Sequence, residues 1–313
     1  MTHGSDLPAA PSGRQWTIRH GDEEAVVVEV GAGLRRYTKG GLDVVAGYRL
    51  DERAVAGRGQ QLMPWPNRLR DGRYVFDGTE LQLALSEPET HNAIHGLVRW
   101  TTWTLAEQSE QSVTLTHRLH PQPGWSWVLD LTLRYLLDDD GLTVTATARN
   151  VGVGHAPYGY AAHPYLSVRD ADAAEVELAL PASRYLEVDP DRLLPVATYD
   201  VAGTAYDFRG GRQVGGAALD TAFTDLERGP DGRWEVSLRG LDDAGPPGAT
   251  LWGDAAYPWL QVYTGRIDAT TEGSNGIAVE PMTCPPDAFN SGEDLLVIET
   301  GQAHTGTWGI RPA

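Results

Sequence analysis

The chain has 313 residues, 41% of them hydrophobic, and a formal net charge of −18. That length suits one large domain or two smaller ones with a full core. The acidic balance argues against nucleic acid and anionic membrane as partners. No apolar run approaches the ~18 residues that a spanning helix needs. Cys284 is the only cysteine, so no intrachain disulfide is possible, which fits a cytoplasmic location.

In chain order, Met1 to Gly13 is short and polar, with Pro and Ser and no basic-then-apolar leader pattern. Residues 1–14 are expected to form a disordered tail, and 15–313 a single domain. From there the apolar period is mostly two. Leu129, Leu131, Leu133 and Tyr135 alternate with Asp130, Thr132 and Arg134, and Leu142, Val144, Ala146 and Ala148 alternate with Thr143, Thr145 and Thr147. Asp140-Gly141 between these two runs signals a hairpin, as does Asp77-Gly78 between Tyr74–Phe76 and Leu81–Leu83. Val176, Leu178 and Leu180 repeat the alternation, as do Trp234, Val236 and Leu238 after the turn Pro230-Asp231-Gly232. The run Asp242 to Gly248 reads as a surface loop. Amphipathic helices are hard to find, and many short strands with turns between them predict an all-β fold, a large antiparallel β-sandwich.

Polar residues cluster at the expected strand ends. Glu280 follows the apolar run Ile277–Val279 and precedes Pro281, Pro285 and Pro286. A carboxylate there is either ion-paired or a stiffly held general base. Met63 to Leu69 reads M-P-W-P-N-R-L, which sets Arg68 on a proline-stiffened segment as a surface charge or a fork for polyol oxygens. His95 stands before Gly96, where another group can approach closely. His163 stands before Pro164, with Tyr158, Tyr160 and Tyr165 around it, as a core imidazole or as part of an aromatic wall for a sugar ring. Asp220 in L-D-T-A-F starts a turn or binds a ligand. Lys39, the only lysine, makes Schiff-base chemistry a poor reading, and Cys284 has no activating neighbour in sequence. The motifs of zinc hydrolases, serine hydrolases, phosphate-binding loops and dinucleotide enzymes are missing.

Together these stretches resemble the aldose 1-epimerase (galactose mutarotase) family. The resemblance is carried in order by N-R-L-x-x-G-x-Y (Asn67 to Tyr74), H-G-L-V-R-W (His95 to Trp100), G-Y-A-A-H-P-Y-L (Gly159 to Leu166), D-T-A-F (Asp220 to Phe223), V-Y-T-G (Val262 to Gly265) and E-P-M-T-C-P-P-D-A-F-N (Glu280 to Asn290). It implies a β-sandwich that interconverts the α and β anomers of a free hexose, without metal or other cofactor. By resemblance Glu280 is the base at the C1 hydroxyl and His163 the acid at the ring oxygen. His95 and Arg68 bind the ring oxygen or nearby hydroxyls, and Asp220 binds a hydroxyl farther round the ring. The implied partner is a monosaccharide, and the protein is expected to be a monomer or homodimer. The galactose-active branch usually carries His-Gly-Gly at the first histidine and Asn-His-x-Tyr-Phe at the second, unlike this chain. Similar words occur in a bacterial branch associated with sulfoquinovose use. A sulfonate or a hexose 6-phosphate needs a cation, for which Arg99 and Arg266 are candidates as well as ordinary surface arginines. The further alternative is a non-catalytic carbohydrate-binding module.

Overall fold

The alternating runs do form the strands, and they assemble into stacked antiparallel sheets. The structure, a computed structural model, describes residues 9–167, 173–240, 248–265 and 276–312. Of the expected tail, residues 1–8 lie outside the described set, as does the expected loop apart from Gly248. Ser12 is buried, and the Gly13 N–H donates to the Ala10 carbonyl.

A nine-stranded sheet runs in the order Thr104–Gln108, Ser112–Leu119, Leu129–Asp138, Gly141–Asn150, Ala303–Pro312, Ala249–Gly253, Trp234–Gly240, Val176–Ala179, Arg212–Gln213. An eight-stranded sheet contains Pro195–Asp200, Ala182–Val188, Asp220–Leu226, Trp259–Tyr263, Gly276–Met282, Ala161–Ala162 and Gln61–Leu62 in that order. Tyr165–Ser167 also pairs with Gly276–Met282. A smaller sheet holds Gln15–His20, Glu23–Val28, Leu34–Lys39 and Leu42–Asp43. The one α-helix among the described residues is Ala288–Ser291.

Both expected hairpins form. Asp77 and Gly78 have φ of 50° and 73° between the paired ends Phe76 and Thr79. Two positive φ values in a two-residue loop match the right-handed twist of the strands that it joins. In the other hairpin the last pair is Asp138 with Gly141, so Asp139 and Asp140 form the loop and Gly141 opens the second strand. A side chain at Gly141 would stand 2.6 Å from the Ile310 carbonyl oxygen of the next strand.

Period two also decides which side chains reach the site. Ile277 and Val279 of Gly276–Met282 join Leu260, Val262 and Phe223 in one large core with Leu131, Leu133 and Val144 of the nine-stranded sheet. Each such fully buried side chain is worth roughly 1.5–3 kcal/mol. The alternate residues face the other way. Asp220, Tyr263 and Ala278 form one row across neighbouring strands, and Ala222, Gln261 and Glu280 form the next. One sheet thus carries the sandwich core on one face and a row of polar groups on the other. Glu280 is therefore inside its strand and not at its end, because pairing continues through Pro281 with Leu260 and Met282 with Trp259.

The remainder of the C-terminal stretch anchors a neighbour. Asp287, itself buried, accepts from the Arg70 N–H at 2.9 Å and from its Nε at 3.3 Å, while its own N–H donates to the Arg68 carbonyl. Asn290 donates to the Arg73 carbonyl, and Phe289 sets its ring against Trp65 and Tyr74. D-A-F-N thereby ties the strand Arg68–Arg70 beside the Glu280 strand.

Candidate active site

Glu280, His163, His95, Arg68 and Asp220 all line one cleft of about 430 Å³. Glu280 comes from the sheet face described above. His163 is fixed by its backbone: its N–H donates to the Gln60 carbonyl and its carbonyl accepts from Gly59. His163 Nε2 lies 3.3 Å from Glu280 Oε1, and both side chains are buried. The two groups touch on one wall and do not face each other across the cleft.

His95 packs against His163, with the two imidazoles edge to face at 5.6 Å between centroids. Its N–H donates to the Asn67 carbonyl, and the strand Asn92–Ile94 just before it pairs with Arg68–Arg70. Gly96, expected to permit close approach, does so: a side chain there would stand 2.0 Å from the Met63 carbonyl oxygen. His95 itself has a φ of 62°, a conformation costing on the order of 1 kcal/mol in a non-glycine residue.

Arg68 is held from two sides. Its Nε and Nη2 donate to the Glu87 carboxylate at 2.9 and 3.1 Å, and its Nη1 to Asp220 at 3.3 Å. Asp220 also accepts from Gln261 Nε2 at 2.6 Å. Of the three tyrosines expected around His163, only Tyr165 lines the cleft, its ring stacked on the imidazole at 5.2 Å. Tyr158 and Tyr160 are buried elsewhere, and the Tyr160 hydroxyl donates to Gln61 and accepts from Trp308. Both pack into the sandwich core, where an amphipathic ring such as that of Tyr160, with its hydroxyl satisfied, sits well. Tyr263 and Trp100 supply the other aromatic surfaces of the cleft.

Several polar groups of the site were not singled out from the sequence, among them Glu87 and Gln261. Glu87 sits in an unremarkable S-E-P, and nothing local marks it. Gln261 had a readable signal, being the one polar residue in the apolar strand W-L-Q-V-Y. Arg266 lies outside the described residues.

Burial shapes the protonation of the site. It pushes the Glu280 carboxyl well above its ordinary range; the Asp220 charge adds to this and the Arg68 charge opposes it. It lowers His163 to about 4 and His95 well below its ordinary value. Several buried atoms have no hydrogen-bond partner among the described residues: Glu280 Oε2, His163 Nδ1, His95 Nδ1 and Gln261 Oε1. Buried polar atoms are rarely left unpaired, so a polar ligand rich in hydroxyls suits this surface. Among the described residues no group of three or more His, Cys, Asp or Glu is arranged to hold a metal ion. Cys284 is buried and its thiol is pushed up to about 12, which leaves it inert as a nucleophile at neutral pH.

Gly57 makes this packing possible. A side chain there would lie 2.5 Å from His163 Cδ2, and its φ is 73°. Gly57→Ala is expected to displace the imidazole from Glu280 and lower kcat on the order of tenfold or more, since small misplacements of a catalytic group are costly. Steady-state kinetics beside a thermal melt checks this, and unchanged kcat in a folded variant would show that the contact does not govern His163.

The family model for aldose 1-epimerase matches residues 14–311 of the chain. The chain is 35% identical over 294 residues to the uncharacterized protein YihR of Escherichia coli (strain K12), covering 94% of this chain and 91% of that protein. It is 27% identical over 230 residues to human galactose mutarotase, covering 69% of this chain and 64% of that enzyme. Among solved structures, a galactose mutarotase-like protein from Clostridium acetobutylicum superposes with a TM-score of 0.83 at 16% identity, covering 95% of this chain and 94% of that one. With a match across nearly its whole length and the residues of the matching motifs gathered in one cleft, the chain belongs to the aldose 1-epimerase family.

Proposed function

We propose that the protein is a mutarotase, an isomerase that interconverts the α and β anomers of a free hexose, with Glu280 as base and His163 as acid. The observation that carries this is their 3.3 Å contact in a cleft, with Glu280 Oε2 and His163 Nδ1 buried and without a partner among the described residues. The C1 hydroxyl oxygen and the ring oxygen are both bonded to C1. A base and an acid that serve them must be close neighbours, as these two are.

In the forward step Glu280 takes the O1 proton while His163 gives one to the ring oxygen, and the C1–O5 bond breaks to leave an aldehyde. Rotation about C1–C2 and the reverse transfers close the ring on the other face. Each opening converts carboxylate and imidazolium into carboxylic acid and imidazole. Burial favours that neutral pair, and the direct contact favours the charged pair. The two forms are thereby brought closer in free energy, which suits reversible proton transfer. His95, Arg68 and Asp220 would bind the ring hydroxyls. A binding module would need the cleft but not an acid touching a base.

One observation favours an acidic hexose. Arg99 lines the cleft and makes no ion pair among the described residues; its guanidinium lies 5.6 Å from the Trp100 ring. Burial lowers its pKa against the opposing pull of the Glu87 charge, so an incoming sulfonate or phosphate would relieve the remaining cost of a poorly solvated cation. Arg53 lines the same cleft. Anomer-exchange NMR across neutral, phosphorylated and sulfonated hexoses tests both readings. Acceleration of at least one free hexose is expected, with a gain for the acidic sugars that Arg99→Gln removes. Binding without acceleration of any sugar would leave a carbohydrate-binding module. Equal rates for neutral and acidic sugars would remove Arg99 from recognition.

A further inference from the structure

Ring opening needs one base and one acid, yet the cleft holds a further carboxylate, Glu87, with no place in that chemistry. Its position is built with care. The Glu87 N–H and carbonyl exchange hydrogen bonds with Asn92, both at 3.0 Å, and Asn92 belongs to the strand that pairs with Arg68–Arg70. The Thr90 hydroxyl donates to the same carboxylate. Arg192 braces the loop from outside, donating to the Thr90 and His91 carbonyls and to Asp71, while its own carbonyl accepts from Asn92. The carboxylate then grips Arg68 through two parallel bonds, the arrangement that best fixes the plane of a guanidinium.

We propose that Glu87 is a positioning residue for sugar binding, holding the Arg68 guanidinium in one plane and balancing its charge so that its two remaining N–H groups are offered to the substrate in a single orientation. This rests on the mutarotase reading of the cleft. Among the described residues, Glu87 and Asp220 engage three of the five guanidinium N–H groups, which leaves two for a ligand. Glu87, Asp220 and the Arg68 guanidinium sum to one net negative charge, with Arg99, which feels the Glu87 charge, as the neighbouring cation. Glu280 is faced by His163, Asp220, Arg68 and Tyr165, and His95 and Tyr263 also feel the Arg68 charge. Removing the Glu87 charge strengthens the pull of Arg68 on Glu280.

Two substitutions separate orientation from charge. Glu87→Asp keeps the charge but shortens the reach, and Glu87→Gln keeps the reach but removes the charge. Both are expected to raise KM about tenfold, with kcat changed less than about threefold, the size of a lost charge-assisted hydrogen bond. Only Glu87→Gln is expected to lower the pH at which the Glu280 carboxyl titrates, followed by carbon-13 NMR of labelled glutamate and assigned by its loss in Glu280→Gln. An unchanged KM in both variants overturns the proposal, as does an equal fall in kcat with no shift in the titration. If Glu87→Gln does not fold, Glu87→Asp decides by KM alone. If the wild-type protein accelerates no sugar, the mutarotase reading has failed, and the Glu280 titration in Glu87→Gln then judges the charge balance by itself.

Discussion

Glu280→Gln is expected to reduce anomer exchange to near the uncatalysed rate, a loss of ~10²–10⁴-fold, the usual share of one general acid–base group. The amide has almost the shape of the carboxyl, so sugar affinity should change little while kcat and kcat/KM fall together. Polarimetry on a freshly dissolved pure anomer measures the rate, and calorimetric titration measures the affinity. A variant that keeps the wild-type rate would strike Glu280 from the chemistry. The same substitution is expected to stabilise the fold on the alkaline side. Burial raises the Glu280 pKa, so the folded state holds this proton more tightly than the unfolded chain does. That contribution is present below the unfolded pKa and is lost as pH rises through the folded one, a loss that glutamine cannot suffer. A higher melting temperature with lower activity is the usual trade at such a site.

His163→Asn is expected to be nearly as damaging to turnover, and to change stability on the acid side. Burial lowers His163 from its ordinary 6.5 to about 4. Between those values the unfolded chain binds more protons than the folded one, so stability rises with pH and is lost as pH falls through the window. His95 is lowered for the same reason and adds to the slope. The melting temperature of the wild type should therefore drop steeply below about pH 6.5. His163→Asn should flatten part of that drop, and His95→Asn another part. A melting curve against pH that His163→Asn leaves just as steep would show that the imidazole is not held neutral by burial.

Much of the site was legible because its members sit in stiff local frames. Proline and glycine beside Arg68, His95, His163 and Glu280 fix the backbone through covalent geometry and sterics, which are local properties of the chain. Glu87 was not legible. It is exchangeable with any surface glutamate until strand pairing brings Arg68 to Ile94 and the adjoining bridge brings Glu87 to Asn92. The tyrosines show the same limit. Tyr158, Tyr160 and Tyr165 look alike around His163, and only the path of the backbone sends Tyr165 to the cleft and the others to the interior.

By itself the sequence determined the class of fold, through alternation and turn chemistry, and the family, through six short motifs in order. It also marked five of the polar residues at the cleft, Glu280, His163, His95, Arg68 and Asp220. The tertiary structure alone decided that Glu280 lies within its strand and touches His163, that Arg68 is shared between Glu87 and Asp220, and that Arg99 stands in the cleft with no ion pair among the described residues. The reason is one of range. Backbone preference and side-chain period act over a few residues, whereas ion pairs, burial and the pKa values that follow from them depend on groups more than a hundred residues apart, as His163 and Glu280 are.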